Sequence, residues 1–229
     1  VKRPLPRPRR GGPWWALAFI PIAAPAGADG QWNADLFLGA AAPLSTTLEV
    51  RQEGEPTLSF DADWDARSFD PPLYYAWRVA RWSKGRAWTL GLVHLKLHLA
   101  NPPPEIQSFA VSHGYNLLTL GRLWSRGAWH LGASAGAVVA HPENTVRGRS
   151  HPENRGLLND GYYFAGPAGE ALLGWRRTLA DWVALSLEGR LSVAHARVEV
   201  EGGSADVPSI ALHGLVGFSL GPRPRPAGP

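Results

Sequence analysis

The sequence predicts an all-β protein, an eight-stranded antiparallel transmembrane β-barrel of outer-membrane type with a cleaved N-terminal signal peptide. Three observations carry this expectation. In the stretch Tyr74–Leu99 two strands flank the tight turn Ser83-Lys84-Gly85-Arg86, and the second alternates, with Val93, Leu95, Leu97 and Leu99 on one face and His94, Lys96 and His98 on the other. That pattern suits a wall with lipid outside and a polar lumen, although a half-buried soluble sheet shares it.

The second observation is recurrence. Trp82 and Trp88 bracket the first turn, Trp124 and Trp129 bracket Ser125-Arg126-Gly127-Ala128, and Trp175 and Trp182 bracket residues 176–181, which places six of the 11 tryptophans at three short connections. Indole is apolar with one N–H that wants a wet partner, so tryptophans gathered at strand ends suggest an interfacial girdle. Well-packed soluble hairpins are the alternative, and the repetition argues against them.

The third observation is the leader. Basic residues Lys2, Arg3, Arg7, Arg9 and Arg10 precede an apolar run, Trp14–Ala26, that ends in Ala26-Gly27-Ala28. This has the basic, apolar and small-x-small regions of a secretory signal, and the run is too short and too broken by Pro21 and Pro25 to span a bilayer as a helix. Residues 1–28 are therefore expected to be the signal peptide, 29–220 the barrel and 221–229, GPRPRPAGP, a disordered Pro-rich tail. The expected location is the outer membrane of a Gram-negative bacterium.

Without the leader the charge balance changes. Five of the 23 Lys and Arg fall in it, leaving 18 basic against 19 acidic residues, a net charge of −1. No basic cluster remains to track phosphates, which argues against nucleic acid as a partner. With no cysteine there is no disulfide, thiolate metal site or cysteine nucleophile. The expected partners are outer-membrane lipid and, during biogenesis, the barrel-assembly machinery, with the chain itself monomeric.

Strand one is expected over Trp32–Ala42, with Trp32, Ala34, Leu36, Leu38 and Ala40 outward and Asn33, Asp35, Phe37 and Gly39 inward. A long connection, Pro43–Pro72, has room for short strands at TTLEV and TLSF. Strands two to five follow at about Leu73–Trp82, Ala87–Ala100, Gln107–Trp124 and from Trp129 to Val139. The break after strand three rests on Pro102-Pro103-Pro104, which supply no N–H donors. Residues 141–160 repeat HPEN and read as a long loop. Strand six is about Gly161–Arg176, strand seven Trp182–Val200 and strand eight Pro208–Leu220, joined by four longer connections and three short turns in all. Eight strands leave an interior that side chains just fill, so an open pore is not expected. Glu170, Arg176, Glu188 and Arg190 then become lumen charges that pair with one another.

Candidate chemistry gathers on histidines. With the loop centred near Pro103-Pro104, His94 falls opposite His113, and the turn at 125–128 brings His141 to a similar height. Strands lie about 4.8 Å apart, so the three are close enough to share a zinc, iron, copper or nickel ion, completed by Glu105 or Glu143. Hydrogen-bonded rim histidines are the other reading. Lys96 and Arg78 suit anionic lipid head groups, or ion pairs in the lumen. Ser112 beside His113 is not a nucleophile–base pair in a strand, because neighbours point to opposite faces.

The runs WDARSFDPPLYYAWR, LGLVHLKLHLANP and VSHGYNLLTL resemble the lipid A oxidase family of outer-membrane proteins. The shared positions are Trp64, Ser68, Phe69, Pro71, Pro72, Tyr74, Tyr75, His94, Lys96, Gly114, Asn116, Thr119 and Leu120, with GASAGAVVAHPE similar to the family's glycine-rich strand ending in a histidine, here His141. The resemblance is best over about 60–145. It implies an enzyme that oxidises the proximal glucosamine of lipid A to aminogluconate with oxygen as acceptor. It also implies catalytic roles for His94, His113, His141 and Asn116, and lipid contacts for Lys96, Arg78, Tyr74 and Tyr75. A divalent metal on His94, His113 and His141 is the one cofactor in view, since no flavin or nicotinamide fingerprint is present. The alternative is a non-enzymatic barrel with a structural or loop-mediated ligand-binding role; a lipid A deacylase is a weaker third.

Overall fold

The computed structural model describes residues 30–152 and 161–222. The expected signal peptide, the second half of the second HPEN and the Pro-rich tail beyond Pro222 lie outside them. Thirteen strands run in chain order: β1 Gln31–Pro43, β2 Thr46–Gln52, β3 Leu58–Ala62, β4 Trp64–Asp65, β5 Tyr75–Ser83, β6 Arg86–Leu99, β7 Ile106–Arg126, β8 Trp129–Ala140, β9 Glu143–Val146, β10 Arg149–Ser150, β11 Tyr163–Ala180, β12 Val183–Val200 and β13 Gly203–Leu220. Eight of them close a ring of antiparallel pairs in the order β1-β5-β6-β7-β8-β11-β12-β13, and β13 returns to β1 with Leu36 opposite Phe218.

The outer surface has the polarity of a membrane wall. Leu38, Leu90, Leu120, Leu131, Leu173, Leu187, Val193, Leu212, Val216 and Phe218 are all exposed, Leu120 at 66%. A water-facing protein rarely presents so large a contiguous apolar band, whereas lipid is its natural solvent. Trp32, Trp88, Trp124, Trp129 and Trp182 stand exposed at the end of the barrel that carries the short turns. Trp82 is a correction to the expected girdle: it points inward and is buried, with the Arg176 guanidinium 5.6 Å from its ring.

At the first short turn Lys84 and Gly85 have φ of 48° and 71°. Two successive left-handed residues match the right-handed twist of the strands they join, which Gly85 permits without strain. The connection between β12 and β13 is as short, at the opposite end, and corrects the expected longer loop. Strand eight starts at Gly203, not Pro208, and pairs with β12 from Val200–Gly203 down to Val183–Leu220. Pro208 is tolerated mid-strand because it faces the gap where β1 ends and β2 begins: β1 pairs with β13 as far as Ala211, and β2 takes over only at Asp206. No ladder bond is lost there. The long loop expected over 141–160 contains the small hairpin β9–β10.

The interior has two layers. Next to the girdle, Asp35, Arg78, Glu170, Arg176, Glu188, Arg190 and His130 interlock. Arg78 bridges Asp35 at 2.8 Å through Nε and Glu188 at 2.6 Å through Nη2; Arg190 donates through Nε to Glu188 at 3.0 Å and lies 3.6 Å from Glu170. Arg176 pairs with Asp35 at 3.3 Å, and His130 Nε2 lies 2.9 Å from Glu188. Above this layer the interior is apolar, built from Val93, Leu95, Leu97, Val111, Tyr115, Leu117, Val138 and Val198 together with Leu48 and Val50 from β2.

The apolar upper layer corrects the expected orientation of β6. Val93, Leu95 and Leu97 face inward and His94 and Lys96 outward, because the parity is already set lower in the strand: Trp88 and Leu90 face lipid while Ala87 and Thr89 are buried inside. A period of two carries that choice through to Leu97.

Candidate functional site on the lipid-facing wall

The outer apolar face gives way to polar side chains at one height on three neighbouring strands. On β6 Leu90 and Leu92 are followed by His94, on β7 Leu120 and Leu118 by Asn116, and on β5 Trp77 by Tyr75. The ladders put these side by side, Tyr75 opposite His94 and His94 opposite Asn116. The Tyr75 and His94 rings stack with centroids 4.9 Å apart and an interplanar angle of 16°. His94 Nδ1 lies 2.8 Å from Asn116 Oδ1. With the amide oxygen as acceptor, the imidazole proton sits on Nδ1 and the lone pair on Nε2. Nε2 is buried and makes no hydrogen bond.

His94 is only 4% exposed although it points away from the barrel interior. Tyr75 stacks on it, and the adjoining segment 66–74, which holds most of the SFDPPLYY run, reaches over the neighbouring Lys96. Ser68 pins this segment to the rim, its Oγ accepting from the Ala41 backbone N–H at 3.1 Å, and its carbonyl accepts from Tyr74 N–H at 2.9 Å. Lys96, also on the outer face and buried, donates from Nζ to the Asp70 carbonyl at 2.7 Å. The flap turns Phe69 and Leu73 outward, 78% and 49% exposed. Polar chemistry on the wall therefore lies under an apolar cover.

A second group sits one step along β7. Between the Leu95–Tyr115 and Leu97–Val111 pairs the register shifts, so Lys96 is opposed by Ser112, His113 and Gly114 together. This bulge re-aims the strand. Gly114 adopts φ of 140°, and a Cβ there would stand 2.1 Å from the Asn116 amide nitrogen. Gly114→Ala is expected to cost about 1–3 kcal/mol and to displace Asn116 from His94, read as a lower urea midpoint. An unchanged midpoint would show that the bulge relaxes freely.

His113 projects from the bulge with its side chain 58% exposed and hydrogen-bonds Glu143 on β9 through Nδ1. The His141 ring lies 4.9 Å from that of His113, and its Nδ1 is 3.8 Å from the same Glu143 oxygen. Ser112 Oγ donates to this oxygen at 2.6 Å, and Tyr162 packs on His141 with ring centroids 4.9 Å apart. The hydrogen bond from His113 holds the Glu143 carboxyl below its usual range, against the opposing effect of burial.

The structure thus divides the expected site residues. His94 meets Asn116 and not His113, because the bulge takes up the residues that a regular ladder would have put opposite. His113 and His141 come together with Glu143, while His94 is outside that group. Tyr75 and Lys96 are on the wall beside His94. Tyr74 and Arg78 are not on it: the Tyr74 hydroxyl lies inside, 2.8 Å from His213 Nδ1, and Arg78 is locked in the lumen network. The sequence reading gave no role to Ser112 beside Glu143 or to Tyr162, and the signal for the bulge that positions them was Gly114 within SHGYN.

No protein-family model matches the chain, and no curated protein matches it. Among solved structures it is similar to the outer membrane protein AlkL, at 14% identity and a TM-score of 0.47, over 87% of this chain and 93% of AlkL. The outer membrane protease OmpT from Escherichia coli follows at 9% identity and a TM-score of 0.40, over 83% and 96%. Ail, the attachment invasion locus protein of Yersinia pestis, matches at 8% and 0.39, over 84% and 100%. Closure of eight strands, an apolar outer band with a tryptophan girdle, and a filled, charge-paired interior make this chain a small outer-membrane β-barrel.

Proposed function

We propose that the barrel is a lipid A-modifying enzyme of the lipid A oxidase type, converting the proximal glucosamine of lipid A to aminogluconate in an oxygen-dependent reaction. The observation that carries this reading is the His94–Asn116 pair on the lipid-facing wall, with the acceptor nitrogen of the imidazole turned away from Asn116 and unbonded. Once the 66–74 flap opens, a base in that position meets a lipid headgroup from the side, within the leaflet, and has no route to a solute in the filled lumen.

The reaction needs lipid A with a free anomeric hydroxyl. His94 Nε2 accepts the hydroxyl proton, and Asn116 holds the tautomer that makes this possible. Loss of the C1 hydrogen with two electrons to dioxygen gives a lactone and hydrogen peroxide. Water then opens the lactone to the acid. Lys96, one strand step further out, supplies a positive charge for a phosphate or carboxylate once the flap opens, and the exposed Phe69 and Leu73 give acyl chains an apolar surface.

The test is mass spectrometry of lipid A from a Gram-negative host that makes C1-dephosphorylated lipid A, with and without this protein in its outer membrane. A gain of one oxygen on the proximal sugar, with peroxide released in equal amount, is expected. Unmodified lipid A from cells that hold the folded, heat-modifiable barrel would overturn the reading in favour of a non-enzymatic barrel.

A further inference from the structure

The geometry points to a binding site for a divalent late first-row transition metal, of the zinc or copper class, formed by His113, His141 and Glu143 at the rim of the barrel wall. One ligand atom from each of the three lies within 4.8 Å of the others. In a tetrahedral zinc site with bonds of about 2.0–2.1 Å, ligand atoms are about 3.3 Å apart. The group therefore closes on an ion by a side-chain adjustment of about 1.5 Å or less at its widest, within reach of rotamer motion.

Three features favour a metal over a simple ion pair. Both imidazoles converge on one oxygen, Glu143 Oε1: His113 Nδ1 hydrogen-bonds it, and His141 Nδ1 stands 3.8 Å from it, beyond a hydrogen bond. One carboxylate oxygen is thus shared by two imidazole rings within ion-pair distance, which brings two nitrogen donors and one oxygen donor to a single point. The scaffold is also fixed. His141 N–H donates to the Gly114 carbonyl at 3.1 Å, and Tyr162 packs on the His141 ring while its hydroxyl donates to the His113 carbonyl at 3.0 Å. Orientation of ligands by such neighbours is characteristic of metal sites. Finally, the donors are two imidazoles and one carboxylate. That set selects zinc, copper, nickel or cobalt over magnesium or calcium, which prefer all-oxygen shells.

Three protein ligands leave one tetrahedral position open, as in catalytic sites and unlike closed structural ones. The site neighbours Asn116 through the two-residue step from Gly114. In a catalytic role, which rests on the proposed function, the ion would supply a Lewis acid beside the sugar held at His94. Metal binding itself does not depend on that reading.

The experiment uses the full chain in detergent micelles, titrated with zinc chloride and, separately, copper(II) sulfate. One equivalent of zinc is expected to bind. His113→Ala and Glu143→Gln should each weaken it at least tenfold, and His195→Ala, a change at an exposed histidine on β12, should leave it unchanged. The copper(II) spectrum should report two imidazole nitrogens, reduced to one in His113→Ala. Because imidazole must be neutral to bind, affinity should fall below about pH 6. No binding by the heat-modifiable barrel, equal affinity in His113→Ala and Glu143→Gln, equal loss in His195→Ala, or displacement of zinc by equimolar magnesium would each overturn the site. Zinc binding as expected with unmodified lipid A would sustain the metal site and reject the oxidase.

Discussion

His94→Ala will reduce aminogluconate formation by at least two orders of magnitude while the barrel stays folded and heat-modifiable. Removing a positioned base typically costs about 10²–10⁴ in rate. The folded state should tolerate the change, because His94 lies on the outer wall and its backbone remains in the β5–β6–β7 ladder. Asn116→Ala should lose less, since it fixes a tautomer and leaves the base present. Asn116→Asp would test that role directly: a carboxylate also accepts from Nδ1–H, so activity should return well above the alanine level. Lys96→Met should raise KM far more than it lowers kcat, as expected of a charge that holds the headgroup. The readout is the ratio of oxidised to unmodified lipid A in membranes with matched amounts of folded protein and, for Lys96→Met, initial rates over a range of lipid A concentration in mixed micelles. Full turnover in His94→Ala would remove His94 from the reaction and, with it, the argument that the wall is the site.

Most of the barrel was legible because each strand repeats one rule. Alternation with Trp32, Leu36 and Leu38 on one face and Asp35 and Phe37 on the other fixes β1 without any knowledge of its neighbours. The same holds for β12, whose burial alternates along nearly its full length. Alternation separates two faces and does not say which is inside. On β6 the answer was available lower down, since Trp88 and His94 share parity and no bulge lies between them; reading the leucines as lipid-facing treated the upper half in isolation. The interior there is apolar because β2 lays Leu48 and Val50 against the rim residues, a tertiary contact with no local signature.

Pairing across strands was harder. Counting from a symmetric loop sets His94 opposite His113, and the bulge at Ser112-His113-Gly114 breaks such counting. Gly114 marked a place where the backbone departs from a regular strand, and Asn116, known only from the family resemblance, proved to be the partner. Tyr74 and Tyr75 show the reverse lesson: adjacent in a shared motif, they are split by the pleat, one into the lumen against His213 and one onto His94.

Glu188→Ala should lower the stability of the folded barrel by about 3–5 kcal/mol, the largest loss expected from any single lumen change. Glu188 is fully buried, with a side-chain exposure of 0%, and it accepts from Arg78 and Arg190 while His130 Nε2 approaches the same carboxylate. Asp35, Glu170 and Glu188 balance Arg78, Arg176 and Arg190 in this layer. Removing one carboxylate leaves an uncompensated positive charge where neither water nor lipid headgroup can reach it, and burying a lone charge is costly. The neighbours cannot make it good, since Asp35 already serves Arg78 and Arg176, and Glu170 is 3.6 Å from Arg190. Glu188→Gln should recover a part, because it keeps hydrogen-bond acceptance but not the charge. A double replacement, Arg78→Met with Glu188→Leu, should recover more than either single change predicts, because it removes both members of a buried pair and restores the balance. Urea unfolding followed by tryptophan fluorescence in lipid vesicles measures these variants together with the single changes Arg78→Met and Glu188→Leu. A double variant as unstable as the sum of its parts would mean that packing around Phe37, over which the Arg78 and Arg190 guanidinium groups lie at 5.4 and 5.2 Å, outweighs charge balance in this layer.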